Sequence, residues 1–117
     1  MEFTTLEIKC VCSCLLDLQI ANGKNSPQEA RLINDILSEH YLTIDDLQDF
    51  VFSSEHERRE SILKSLPFLK KIVFAKLLIM MVAIDGHINP TEYQKIKEFE
   101  KLYDMKDEIK IALQQMG

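Results

Sequence analysis

The sequence predicts an all-α fold, a compact bundle of six or seven helices in which two helix-turn-helix units repeat one another. Three observations predict it. Leu, Ile, Lys, Glu and Met are abundant and Val is scarce, a balance that favours helices over strands. Apolar residues recur at three- and four-residue steps. Three glycines and three prolines in 117 residues leave little chain for linkers. Residues 1–117 are therefore expected to form a single domain, and an apolar fraction of 46% is enough for one continuous core.

The first helical stretch covers residues 5–21, with Leu6, Cys10, Cys14 and Leu18, or equally Val11 and Leu15, on its apolar side. Asn22-Gly23 stops it, because both residue types tolerate the left-handed conformation of a helix C-terminus. Ser26-Pro27-Gln28-Glu29 opens a second helix in the grammar of a capping box. The serine caps, the proline suits the first turn and the glutamate stands three residues beyond the cap. Ala30, Ile33, Ile36 and Leu37 make its inward stripe, and His40 is placed to donate to its last carbonyls.

Thr43 and Asp45-Asp46 give the cap and acidic first turn of a short helix that ends near Phe50 or Phe52. Ser54-Glu55-His56-Glu57 repeats the capping-box spacing ahead of Ile62, Leu63 and Leu66. Pro67 either separates that helix from the next or kinks one long helix. Residues 68–84 are apolar on nearly every side except at Lys70, Lys71 and Lys76, the pattern of a helix enclosed by neighbours. Asp85-Gly86 ends it. Asn89-Pro90-Thr91-Glu92 starts another, with Tyr93, Ile96, Phe99 and Tyr103 inward. A last helix is expected from Asp104, packing through Met105, Ile109, Ala112, Leu113 and Met116.

Sliding the chain by 63 residues lays Asn22-Gly23 over Asp85-Gly86, Ser26-Pro27 over Asn89-Pro90, Glu29 over Glu92, Leu15 over Leu78 and Ile33 over Ile96. Both copies follow one rule: an apolar helix, Asn or Asp then Gly, three residues, Pro-x-Glu, and an amphipathic helix. Each hairpin alone would leave an apolar face wet, so the two are expected to pack together with approximate two-fold symmetry. Gly23, Gly86, Ser26 and Asn89 are the structural caps of this scheme.

The run LLIMMVAIDGHINPTEYQKI resembles the TerB-like domains, found in tellurite-resistance TerB proteins and in DjlA co-chaperones, over roughly residues 6–116. That resemblance implies an all-helical bundle and acidic positions at Asp85, Glu92 and Glu29 that in some members are associated with divalent metal. The first copy has Asn22 where the pattern has Asp, one charge fewer. No J-domain motif accompanies it, so the co-chaperone role does not carry over.

The acidic turns also mimic the second half of an EF-hand loop, but that loop needs oxygen ligands four and two residues before Asp85, where Met81 and Ala83 stand. Leu18 and Ile20 fill the same places in the first copy. A different oxygen-donor site for Ca²⁺ or Mg²⁺ remains open if Asp85, Glu92, Glu29 and Asn22 converge. The competing account is purely architectural, in which both glutamates serve their caps and Asp85 folds onto nearby backbone N–H groups.

Other chemistry finds little support. Cys10, Cys12 and Cys14 have no second pair for zinc and no nearby base, and are expected to be core or half-buried residues of a protein from a reducing cytoplasm. His56 and His87 lack ligand-spaced partners and are expected to face solvent. No glycine loop for nucleotides is present, and Arg58-Arg59 is too short a basic patch for nucleic acid. The net charge of -5 opposes a broad basic footprint. Charge is uneven: residues 1–63 carry five Lys or Arg against twelve Asp or Glu, and residues 64–117 carry nine against seven. The most apolar segment is interrupted by Lys76 and too short to span a bilayer. The expected function is that of a non-enzymatic cytoplasmic module that binds a protein partner or a second copy, in a stress or tellurite-resistance-like context. The alternative is a divalent-metal sensor.

Overall fold

The computed structural model describes residues 2–23, 26–84, 86 and 90–117. Thr4 opens the first helix, α1 (Thr5–Asn22), with a full capping box: its hydroxyl accepts from the Glu7 N–H at 3.1 Å, and Glu7 Oε1 accepts from the Thr4 N–H at 2.8 Å. Residues 10–15 are then buried without a break. Small cysteines and Ser13 on the sides away from Val11 and Leu15 let neighbouring helices close in, so α1 is the central rod of the bundle. It touches α2 (Pro27–Glu39), α3 (Ile44–Val51), α4 (Arg59–Lys64), α5 (Phe68–Ala83) and α6 (Pro90–Leu102), while α7 (Lys106–Met116) packs mainly on α5. Among the described residues all regular structure is helical, as the composition predicts.

The 63-residue repeat extends well beyond the two turns. Gly23 and Gly86 both take left-handed backbone, φ 68° and 77°, and each N–H reaches back three residues, to Ile20 at 3.1 Å and Ala83 at 3.0 Å. At the far end of each hairpin the chain makes the same exit. Leu42 N–H donates to Leu37 O and Met105 N–H to Glu100 O, both at 2.9 Å, and the residues before them, Tyr41 and Asp104, are left-handed at φ 59° and 55°. That is the wide reverse bond that satisfies orphan carbonyls at a helix end. Buried positions also match across the repeat: Val11 with Phe74, Cys12 with Ala75, Leu15 with Leu78, Leu18 with Met81 and Ile36 with Phe99. One core cluster holds Ile33, with Ile96 packed against it.

Four expectations need correction. The enclosed helix is α1; α5, though more apolar, leaves Phe68, Leu69, Met80 and Ile84 exposed, because α1, α6 and α7 cover only one side of it. Ser54 caps nothing. Residues Ser54–Arg58 form a 3₁₀ turn without a side-chain cap, and Ser53 Oγ donates backward to Phe50 O at 2.6 Å, closing α3 instead of opening α4. Tyr93 is outward, its ring 5.5 Å from Lys97 Nζ. At the last helix, Asp104 precedes α7 in the left-handed joint, and Leu113 and Met116 are exposed. Leu113 follows Ala112 by one residue, a rotation of about 100° off the Met105, Ile109, Ala112 stripe.

Pro67 separates two helices instead of kinking one: it is the N-cap of α5, and α4 stops at Lys64. His40 is the C-cap of α2, with Nδ1 2.9 Å from Ile36 O.

Candidate functional site

The paired turns nominated by sequence are only partly described. Gly23 and Gly86 hold the left-handed caps, and Ser26 Oγ accepts from the Glu29 N–H at 3.3 Å. Glu29 and Glu92 are both 0% exposed, each in the first turn of the second helix of its hairpin. Neither residue is without a partner. Asp85, His87 and Asn89 lie outside the described residues, as does the side chain of Asn22, the last residue of α1. Among the described residues no three His, Cys, Asp or Glu side chains gather as metal ligands would.

A second polar cluster, which the sequence did not suggest, sits inside the bundle. Arg59 from α4 reaches into α1, donating from Nη1 to Asp17 Oδ2 at 2.8 Å and to Ser13 Oγ at 3.2 Å. Ser13 Oγ in turn donates to Cys10 O at 2.7 Å. One turn along, the Cys14 thiol donates to Tyr103 Oη at 3.7 Å, and Tyr103 stacks on Phe99 with centroids 5.6 Å apart. Burial works against the Arg59 charge, and the Asp17 carboxylate at 2.8 Å favours it, so the guanidinium stays protonated. Burial pushes the thiols up, to about 11 for Cys10 and about 12 for Cys12 and Cys14. Tyr103 is raised too, first by burial and then by Cys14. These groups stay as neutral thiols and phenol at physiological pH, so the cluster ties helices together and offers no nucleophile.

The third feature is a surface groove of about 500 Å³. Phe3 and Ile8 supply its floor from the start of the chain and α1, Ile36 the end of α2, and Val73 and Leu77 the wall from α5. Its charged rim is Glu2 and Glu39, with His40 between helix and groove. Tyr41 is among its lining residues and is 97% exposed. Left-handed backbone costs a bulky L-residue on the order of 1 kcal/mol or more. Asp104, the counterpart of Tyr41 in the other hairpin, is of a type that tolerates this conformation. Tyr41 thus carries strain and contributes almost no burial. The signal for it was present in the repeat: at the 63-residue offset a tyrosine falls where the other copy keeps a helix-ending Asp.

Val73 and Leu77 also belong to an apolar stripe that runs along α5. Leu69, Val73, Leu77, Met80 and Ile84 share one stripe at helical spacing. Leu69 is 57% exposed and Met80 39%. From Leu69 to Met80 that stripe runs roughly 16 Å at 1.5 Å per residue.

No family model, no characterised protein and no solved structure matches this chain.

Proposed function

We propose that the chain is a non-enzymatic, TerB-like interaction module of the cytoplasm, acting in a stress or tellurite-resistance-like context, whose docking face is the groove between the N-terminal end of α1, the end of α2 and α5. One observation carries this reading: a strained, exposed tyrosine at the edge of an apolar groove where the matching hairpin has an aspartate. Aromatic side chains on rigid supports are typical anchors of protein interfaces, and strain kept at an exposed position points from geometry to function. The exposed apolar stripe on α5 adds contiguous surface of the kind that marks interaction sites. Among the described residues no helix is long and apolar enough to cross a membrane, which fits recognition of protein over insertion into lipid.

Selection from a displayed library of randomised helical peptides tests the docking face. Enriched peptides should perturb the amide signals of Phe3, Tyr41, Val73 and Leu77. Binding mapped to other faces, or no enrichment, contradicts the reading.

A divalent-ion sensor is the second reading. Its support is the placement of two glutamates, Glu29 and Glu92, buried at equivalent positions in the two hairpins, since carboxylate oxygens suit hard divalent cations. Calorimetric titration with Ca²⁺ and with Mg²⁺ should give heat that a Glu29→Gln, Glu92→Gln double variant loses; no heat at millimolar ion sinks it.

A further inference from the structure

The geometry points to a particular partner for the groove: a short amphipathic helix with an apolar face flanked by Lys or Arg, anchored beside Tyr41. This rests on the docking reading above and adds the chemistry of the occupant.

Charge is the first argument. The ionisable residues that line the groove are Glu2, Glu39, His40 and Tyr41, with no Lys or Arg among the described lining residues. The C-terminal end of α2 faces the same rim and has no basic residue in its last turn. Two of the nearby cations are engaged. Lys70 Nζ is paired with Glu7 Oε1 at 2.8 Å, Lys71 Nζ donates to Asp104 O at 3.2 Å, and Lys76 shares the α5 stripe without lining the groove. A basic helix is attracted here and an acidic one repelled, which sets specificity more than raw affinity.

Shape is the second argument. The apolar track along α5 is elongated, about 16 Å or three helical turns, exposed at Leu69 and Met80 and half-buried at Val73 and Leu77 between them. A helix of about fourteen residues presenting leucines at i, i+3, i+4 and i+7 matches such a track. The groove walls are already formed by helices, so the receptor has little ordering cost and the peptide supplies most of it.

Titration of the full chain, labelled for amide NMR, with two synthetic peptides tests this. Both carry the same leucine face, one with Lys and the other with Glu at the flanking positions. The Lys peptide should move the signals of Phe3, Tyr41, Val73 and Leu77 and bind at least about ten-fold more tightly than the Glu peptide, a difference of about 1.4 kcal/mol. That preference should shrink as salt is raised. A Glu2→Lys, Glu39→Lys double variant should reverse the order. Tyr41→Asn should weaken the Lys peptide about ten-fold while the unfolding midpoint stays level or rises, which separates lost contact from lost fold. If the Glu peptide binds the groove as well as the Lys peptide, the charge assignment is overturned and the docking face survives. If neither peptide moves the groove signals, both fall. If dilution alone moves them, a second copy is the occupant and the basic helix is wrong.

Discussion

Arg59 shows how one side chain can be mistaken at the residue scale. Beside Arg58 it looks like a minor basic surface pair, yet it turns inward to join α4 to Asp17 and Ser13 of α1. Removing Asp17 takes away the carboxylate and leaves that charge to the Ser13 hydroxyl and the Phe99 ring. Asp17→Ala is expected to cost about 1–3 kcal/mol in chemical denaturation, the usual penalty for a partly buried charged donor losing its acceptor. A near-neutral result would show that solvent takes over the role of the carboxylate. The cysteines make the opposite prediction about reactivity. All three are fully buried with raised pKa values. A thiol reagent at neutral pH should modify none of them in the native chain and all three after unfolding, and rapid native labelling of Cys12 would refute the enclosed position of α1.

At the scale of the element, caps decide where helices begin. Thr43 accepts from the Asp46 N–H at 3.2 Å and Asp46 Oδ2 accepts from the Thr43 N–H at 2.8 Å. Those bonds hold the Asp46 carboxyl below its usual range. Glu7 is also lowered: burial opposes its charge, but Lys70 and the Thr4 bonds outweigh it. Since both folded-state pKa values lie below the unfolded ones, the stabilisation is complete above the ordinary values of 4.5 and 3.8 and is lost as pH falls through the lowered ones. The midpoint of wild type should therefore drop on acidification more steeply than that of Glu7→Gln; parallel curves would rule the linkage out. Thr43→Ala should cost about 1 kcal/mol, whereas Ser54→Ala should stay within about 0.5 kcal/mol.

Ser54 also marks the limit of what the sequence conveys. Local chemistry was legible where it closes on itself: Asn22-Gly23, Ser26-Pro27, Thr43 and Pro67 each set a boundary the structure keeps. Ser54 has the right neighbours, but capping depends on which way the hydroxyl of the adjacent Ser53 turns, and that is fixed by the end of α3. Burial was less legible. Periodicity made α5 the enclosed helix because it is the more apolar, whereas enclosure follows from small residues that admit neighbours, and those belong to α1. Of the candidate site, the buried glutamates were visible as repeat positions. The groove was not, because it is assembled from three separated segments.

The whole molecule is one hairpin design used twice, with matched glycines, matched exits and matched core positions around a single cluster. Leu15 and Leu78 occupy the same place in each copy and are both fully buried. Alanine at either should cost about 2–5 kcal/mol, with the range set by how far the cavity collapses. The copies part company at Tyr41 and Asp104, where equal backbone carries unequal side chains. If Tyr41 is kept for recognition at the expense of stability, exchanging the residue types must have opposite effects. Equilibrium unfolding of Tyr41→Asp and Asp104→Tyr is the direct test. The account predicts that Tyr41→Asp gains roughly 0.5–1 kcal/mol by relieving left-handed strain and that Asp104→Tyr loses about as much or more; a Tyr41→Asp variant less stable than wild type would contradict it.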